Sequence, residues 1–263
     1  MTAVTEVVRG CGLPWMPVDG GAPPAGDAAG GWRRLGELWD PAVLAGLHRT
    51  VLAECDGRRD VATAFLAARF ALLLARLAVI PVVRRRRALL FAPGQLWVRH
   101  DARGLFTAAR VPDAALASEP CEPVPPGQAG AVVMSVHATA SGLAVDGYRP
   151  VVSGLREVAA LGERALWGQL ADAVVAAVGH GVEGDDAERA GDHARRFLRA
   201  ADPPLWVRPE FATVGRDPAG GGPAVLTWRR GSCCLAYRLA WSDLCTGCPL
   251  QSRSAWLSAA GAR

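Results

Sequence analysis

Residues 61–83 (VATAFLAARFALLLARLAVIPVV) are the longest apolar stretch in the chain, interrupted only by Arg69 and Arg76. A helix of that length either crosses a membrane or forms the centre of a core, so it constrains everything around it. An arginine at a bilayer centre costs about 2.5–3.5 kcal/mol on insertion scales, and two of them make a spanning helix a poor solution. Seven positions apart, the two lie within about 20° of each other around a helix and make one polar stripe on an apolar cylinder. The pattern predicts a mostly buried core helix, closed by Pro81. The alternative is an in-plane helix at the inner face of a membrane, with Arg84 to Arg87 directly behind it meeting anionic lipid. The first residues carry Glu6 and Arg9 between short apolar patches, with no basic segment leading into a continuous apolar one. They show no secretory signal, and the cytoplasm is the expected compartment.

A central helix needs neighbours, and the periodicity supplies them. Asp40 followed by Pro41 reads as an N-cap and a first helical position, and Leu44, Leu47, Val51 and Leu52 then share a face, which predicts a helix over 41–54. Between 88 and 111, apolar and polar residues alternate around Pro93-Gly94 and Arg103-Gly104, the pattern of a meander of short strands. Leu166, Leu170, Val174 and Val178 recur every fourth position beside Trp167, predicting a helix over 162–178 stopped by Gly179 and Gly181. Asp185 with Glu188 resembles a capping arrangement for a further helix, whose face is Ala190, Ala194, Phe197, Leu198 and Ala201 and which Pro203-Pro204 ends. After a glycine-rich turn at 217–222, residues 225–230 and 235–239 read as two strands joined around Gly231 and Ser232.

The fold class expected is therefore α+β: a helical body with a small β-meander and a C-terminal β-hairpin. Gly, Pro and Ala at 20–31 separate an N-terminal extension and flexible loop (1–31) from a mainly helical body (32–203), and 204–263 form a C-terminal region. Four prolines within 119–127 mark a break inside the body.

Composition excludes several functions. With 263 residues, 51% hydrophobic and 21% charged, the chain is neither disordered nor collagen-like. All 29 cations are arginines, and the net charge of +4 is too small to call for a nucleic-acid partner. The phosphate-cradling G-x-x-x-x-G-K-[ST], the dinucleotide fingerprint G-x-G-x-x-G, G-x-S-x-G and H-E-x-x-H are all absent from the sequence. His48, His100, His137, His180 and His193 stand alone in the sequence and are expected as surface or internally satisfied polar residues.

The cysteines are more informative. Of seven, Cys11, Cys55 and Cys121 are scattered, while Cys233, Cys234, Cys245 and Cys248 fall in one short segment, GSCCLAYRLAWSDLCTGCPL. An odd total argues against a secreted disulfide framework. Three readings of the cluster remain open. A structural zinc site wants four thiolates at tetrahedral angles, usually from two Cys-x-x-Cys knuckles, and only Cys245 to Cys248 forms one. Adjacent cysteines diverge on an extended backbone, which a two-iron cluster tolerates better because its ligands are shared between two metals. Disulfides are the third reading, disfavoured in a reducing compartment.

Cys-Cys-x10-Cys-x2-Cys, preceded by Arg229 and Arg230, continued by Tyr237 and Arg238 and closed by Cys248-Pro249-Leu250, resembles the ferric siderophore reductases of the FhuF type. Residues 165–172 (ALWGQLAD) resemble the helical region that such proteins carry before the motif. The resemblance implies a [2Fe-2S] cluster on Cys233, Cys234, Cys245 and Cys248, and one-electron reduction of Fe(III) held by a hydroxamate-type siderophore. Arg229, Arg230 and Arg238 would tune the cluster or dock the acidic surface of a donor; otherwise they are solvated strand ends. With no flavin or nicotinamide fingerprint, electrons are expected from a ferredoxin or flavoprotein. The ferric siderophore is expected on the body between about 40 and 200, with Trp206, Trp228 or Trp241 as walls. The rival expectation is a four-cysteine iron or redox sensor, or a structural zinc protein. Cys11, Cys55 and Cys121 are expected as buried or free thiols.

Overall fold

The apolar stretch is the central helix, α3 (Arg59–Arg85), of the computed structural model, which describes residues 3–8, 11, 16–21, 31–112, 115–118, 135–158, 161–182, 186–215 and 224–261. Among the described residues it is the one helix long and apolar enough to cross a membrane, but 83% of its most apolar window is covered by the rest of the fold. Helices α2 (Pro41–Glu54), α4 (Val136–Val158) and α5 (Glu163–Gly181) pack around it. The arginine stripe meets polar groups of the protein rather than lipid headgroups. Arg69 donates to Glu54 Oε2 at 3.1 Å and to the Arg103 carbonyl at 2.7 Å, and buried Arg76 donates from Nε to the Cys11 carbonyl at 2.5 Å.

Pro81 does not close this helix. It removes one backbone donor, but Val82 and Val83 are buried beyond it, and the helix runs to Arg85 before Arg86 turns left-handed at φ 53° with its amide on the Val82 carbonyl. Arg84 then donates to the carbonyls of His180 and Gly181, placing a cation at the C-terminus of α5.

Asp40 caps α2 as expected, its Oδ1 accepting from the amides of Ala42 at 2.8 Å and Val43 at 3.2 Å. The cap of α6 (Ala187–Ala200) is Asp186, which accepts from the Arg189 amide at 2.9 Å; Asp185 lies outside the described residues. Two glycines of α4 let helices cross closely. A Cβ on Gly154 would stand 2.4 Å from Leu44 Cδ1, and one on Gly147 2.8 Å from Leu74 Cδ2. Between them Tyr148 is fully buried, its hydroxyl 3.2 Å from the Ala67 carbonyl on α3 and 3.1 Å from the Leu166 carbonyl on α5.

The strands divide into separate sheets. The region read as one meander holds β3 (Arg87–Leu90), β4 (Trp97–His100) and β5 (Phe106–Val111). The last two form an antiparallel pair within a four-stranded sheet of order β1-β5-β4-β2, whose outer strands are β1 (Val18–Gly20) and β2 (Trp32–Arg34). Strand β3 leaves to pair with β6 (Ala115–Ser118). Strand β1 follows α1 (Ala3–Val8), and Val7, Val8, Cys11, Met16 and Val18 join the same core as α3. Residues 22–30 of the break expected at 20–31, the break at 119–127, the turn at 217–222, and Cys121 lie outside the described residues.

The C-terminal hairpin exists with a different partner from the one its sequence suggests. Strand β8 (Ala224–Arg229) pairs antiparallel with β7 (Glu210–Gly215), Glu210 opposite Arg229, while Ala236–Arg238 is a single 3-10 turn rather than a strand. After Arg230 the backbone amides are taken by a carboxylate on α5, so no strand ladder forms there. Helix α7 (Arg253–Gly261) then packs on β7 with Trp256 fully buried.

Candidate metal centre

Three residues on one face of α5 fix where the cysteine segment lies. Gly168 gives way to it: a Cβ there would meet Ser232 Cβ at 2.4 Å. Asp172, 4% exposed, accepts from the amide of Gly231 at 2.7 Å, the amide of Ser232 at 3.2 Å and Arg230 Nε at 3.1 Å. Gln169 donates to Ser232 Oγ at 2.5 Å and to the Cys233 carbonyl at 3.2 Å, and accepts from the Arg230 guanidinium at 2.6 Å. These buried polar groups satisfy one another, as a low-dielectric site requires.

A second anchor brings the far cysteines back. The Arg230 amide donates to the Gly247 carbonyl at 2.7 Å, and a Cβ on Gly247 would stand 2.7 Å from the Trp228 carbonyl, so only glycine allows this approach. The Cys248 amide closes a turn on the Cys245 carbonyl at 2.9 Å, and Gln251 Nε2 donates to that same carbonyl at 3.0 Å.

The four thiols act on one another: Cys234 hydrogen-bonds with Cys245 and Cys233 with Cys248, and Cys234 also bears on Cys233 as Cys248 does on Cys245. The Cys245 thiol's hydrogen bond holds Cys234 well below the usual thiol range, against the pull of burial and with help from the Ala236 amide and Arg230. That same bond, with burial, pushes Cys245 up. Burial likewise raises Cys233, opposed by the Leu235 amide, which donates to its sulfur at 3.4 Å. Leu235 reaches that position through a left-handed backbone at φ 61°, unusual for a leucine, which turns successive amides toward the sulfurs.

The three arginines separate in role. Arg230 is turned inward, and burial, which works to lower its pKa, is outweighed by Asp172 and by the charge of Cys234 and Cys245. Arg229 is held by Glu210 at 2.7 Å, the carboxylate that also accepts from Arg253 Nε at 2.5 Å. Arg238 pairs with Asp60 at the surface. Of the tryptophans, Trp206 and Trp241 are exposed, while Trp228 is half-buried against the core. Cys11 and Cys55 are buried free thiols, and burial raises Cys11 to about 12.

Two of the five histidines converge. His137 Nε2 lies 3.0 Å from His193 Nδ1, and His137 packs on Phe197. They line a cavity of about 500 Å³ with Val82, Arg86, Arg189 and Arg196. This pair, like Gln169 and Asp172, is missing from the sequence-based site. Gln169 and Asp172 lie in the segment 165–172 singled out by resemblance, and their further signal was polarity in an otherwise apolar helical face, but neither marked them as site residues.

Four free thiols on a half-buried loop, laid over a helical scaffold, are a donor set of the kind that cysteine-ligated metalloproteins use. Residues 230–250 match the family model of the FhuF 2Fe-2S C-terminal domain. No curated protein matches the chain. The cofactor this match indicates is a [2Fe-2S] cluster, and the geometry fits it. Four thiols that act on one another across both ends of the segment form a donor set that two irons could share. Amides directed at the sulfurs suit it further.

Proposed function

We propose that the protein is a ferric siderophore reductase-like [2Fe-2S] protein, with Cys233, Cys234, Cys245 and Cys248 as its ligands, passing one electron to siderophore-bound Fe(III) in the cytoplasm. The observation that carries this reading is the pairing of four thiols within a segment that matches the FhuF cluster domain. When bound, the cluster supplies a one-electron couple with no open coordination position, so transfer to the substrate is outer-sphere. The chain's own groups prepare the place: Asp172 and Gln169 seat the loop, Arg230 brings positive charge to it, and Cys248 is 2% exposed.

The substrate is Fe(III) held by hard oxygen donors of the hydroxamate type. Such ligands hold Fe(III) far better than Fe(II), so one electron loosens the metal and Fe(II) leaves. The cavity of about 500 Å³ beside His137 and His193 has the size of a small-molecule site and is our candidate for the ferric complex. Helix α6, which lines it, also packs on β8 immediately before the cysteine loop. The donor is a ferredoxin or flavoprotein, docking where Tyr237, Trp241 and Leu244 are exposed beside Arg238.

Protein purified without air should be coloured and, once reduced, give a [2Fe-2S] electron paramagnetic resonance signal. Cys245→Ser should abolish both, and Cys121→Ser should leave them intact. A colourless protein with stoichiometric zinc would refute the reading. Reduced protein mixed with a ferric hydroxamate and an Fe(II) chelator should reoxidise; if it does not, the protein is a sensor rather than a reductase.

A further inference from the structure

We propose that Asp172, with Gln169 beside it on α5, is the positioning residue of the cluster loop and, through Arg230, sets how readily the cluster accepts an electron; this rests on the reading of the four cysteines as cluster ligands.

Three observations converge. The first is distance in sequence against closeness in space: the carboxylate of Asp172 binds Arg230, Gly231 and Ser232, which immediately precede Cys233. No other described acidic side chain hydrogen-bonds to this stretch. The second is burial. Asp172 is 4% exposed, and the Arg230–Asp172 pair stands at 21% and 5% side-chain exposure, so its charges are poorly screened by water. The third is the direction of Arg230. Its guanidinium is held by Asp172 and by Gln169 Oε1, and its positive charge bears on Cys234 and Cys245, one from each end of the ligand segment.

The electrostatics then have a definite sign. Reduction adds one negative charge to the cluster, so a nearby cation favours the reduced form and a nearby anion opposes it. Arg230 pulls toward reduction, and Asp172 both holds Arg230 in place and offsets much of its charge. Removing one member leaves the other uncompensated. Arg229 and Arg238 are compensated elsewhere, by Glu210 and Asp60, and have no such arrangement.

The test compares wild type, Asp172→Asn, Arg230→Gln and the double variant, all purified without air. Asp172→Asn keeps the shape and one acceptor but removes the charge, and should shift the reduced-to-oxidised ratio at fixed potential about tenfold toward reduced, about 59 mV for one electron. Arg230→Gln should shift it in the opposite direction, and the double variant should return toward wild type. A loaded Asp172→Asn with wild-type potential overturns the proposal, as do two single shifts of the same sign. If Asp172→Asn does not load, Arg230→Gln alone decides: a lowered potential supports the proposal and an unchanged one overturns it.

A second arm needs no cluster. Amide exchange at Gly231 and Ser232 should accelerate at least tenfold in Asp172→Ala, with no change along α3. Unchanged exchange at those two amides overturns the positioning role. Wild type that holds no iron while these amides remain protected would instead defeat the reductase reading and leave the latch standing.

Discussion

His48 lies 4% exposed between α2 and α3, its Nε2 3.0 Å from Thr63 Oγ1 and 3.2 Å from the Arg59 carbonyl. The Thr63 hydroxyl donates to that same carbonyl at 2.6 Å, so its oxygen is left to accept from His48. Burial holds His48 below the ordinary imidazole value of 6.5. A folded state that binds the proton less readily than the unfolded chain loses stability as pH falls. The contribution is complete above the ordinary value and is lost as pH drops through it toward the folded one. Urea midpoints should therefore fall between about pH 7.5 and 5.5, and His48→Gln should flatten that slope. Residue identity also explains what could be read from the sequence alone. The four cysteines proposed as ligands stand out in the sequence because their grouping is coded in local spacing. Asp172 does not, because its partners lie 58 to 60 positions further on. The His137–His193 contact, 56 positions apart, is invisible for the same reason.

At the scale of elements, glycines sort into those that permit an approach and those that only weaken a helix. Gly168→Ala on α5 forces a methyl group against Ser232 and should cost about 1–3 kcal/mol, with a matching loss of cluster occupancy by iron analysis. Gly142→Ala on α4 meets nothing within 4 Å and should stabilise by about 0.5–1 kcal/mol in thermal or urea unfolding. Glycine content is also why α4 went unread. Gly142, Gly147, Gly154 and Pro150 lower its helical signal, and tertiary contacts with Leu74 and Leu44 restore it. Helices α2 and α5 were legible because their apolar faces repeat regularly and α2 carries its own cap. The hairpin was half legible: β8 was found, but its alternating pattern could not reveal that β7 rather than 235–239 lies beside it.

At the scale of the molecule, the helical core does not depend on the four cysteines for its packing, although Leu239 and Leu235 of their loop rest on it. The core is built on α3 with α2, α4, α5 and α6, and of the four clustered cysteines only Cys248 is buried. Removing iron with a chelator should therefore leave the far-ultraviolet circular dichroism of the helices largely intact, and the Gly231 and Ser232 amides protected by Asp172, while raising amide exchange across 233–250. Tyr148→Phe, by contrast, deletes a hydroxyl shared between α3 and α5 and should lower global stability by about 1 kcal/mol without changing the cluster spectrum.

The placement of Gly168, Gln169 and Asp172 on α5 bears on how the protein matures. During synthesis α3, α4 and α5 leave the ribosome before any of the four clustered cysteines does. Domains begin folding from the N-terminal side as they emerge. The seat for Gly231 and Ser232 thus precedes the segment it receives, and the loop is delivered to a prepared surface with three of its four thiols still partly accessible from outside. Iron and sulfide can then be inserted as a last step, into a chain whose core is already formed.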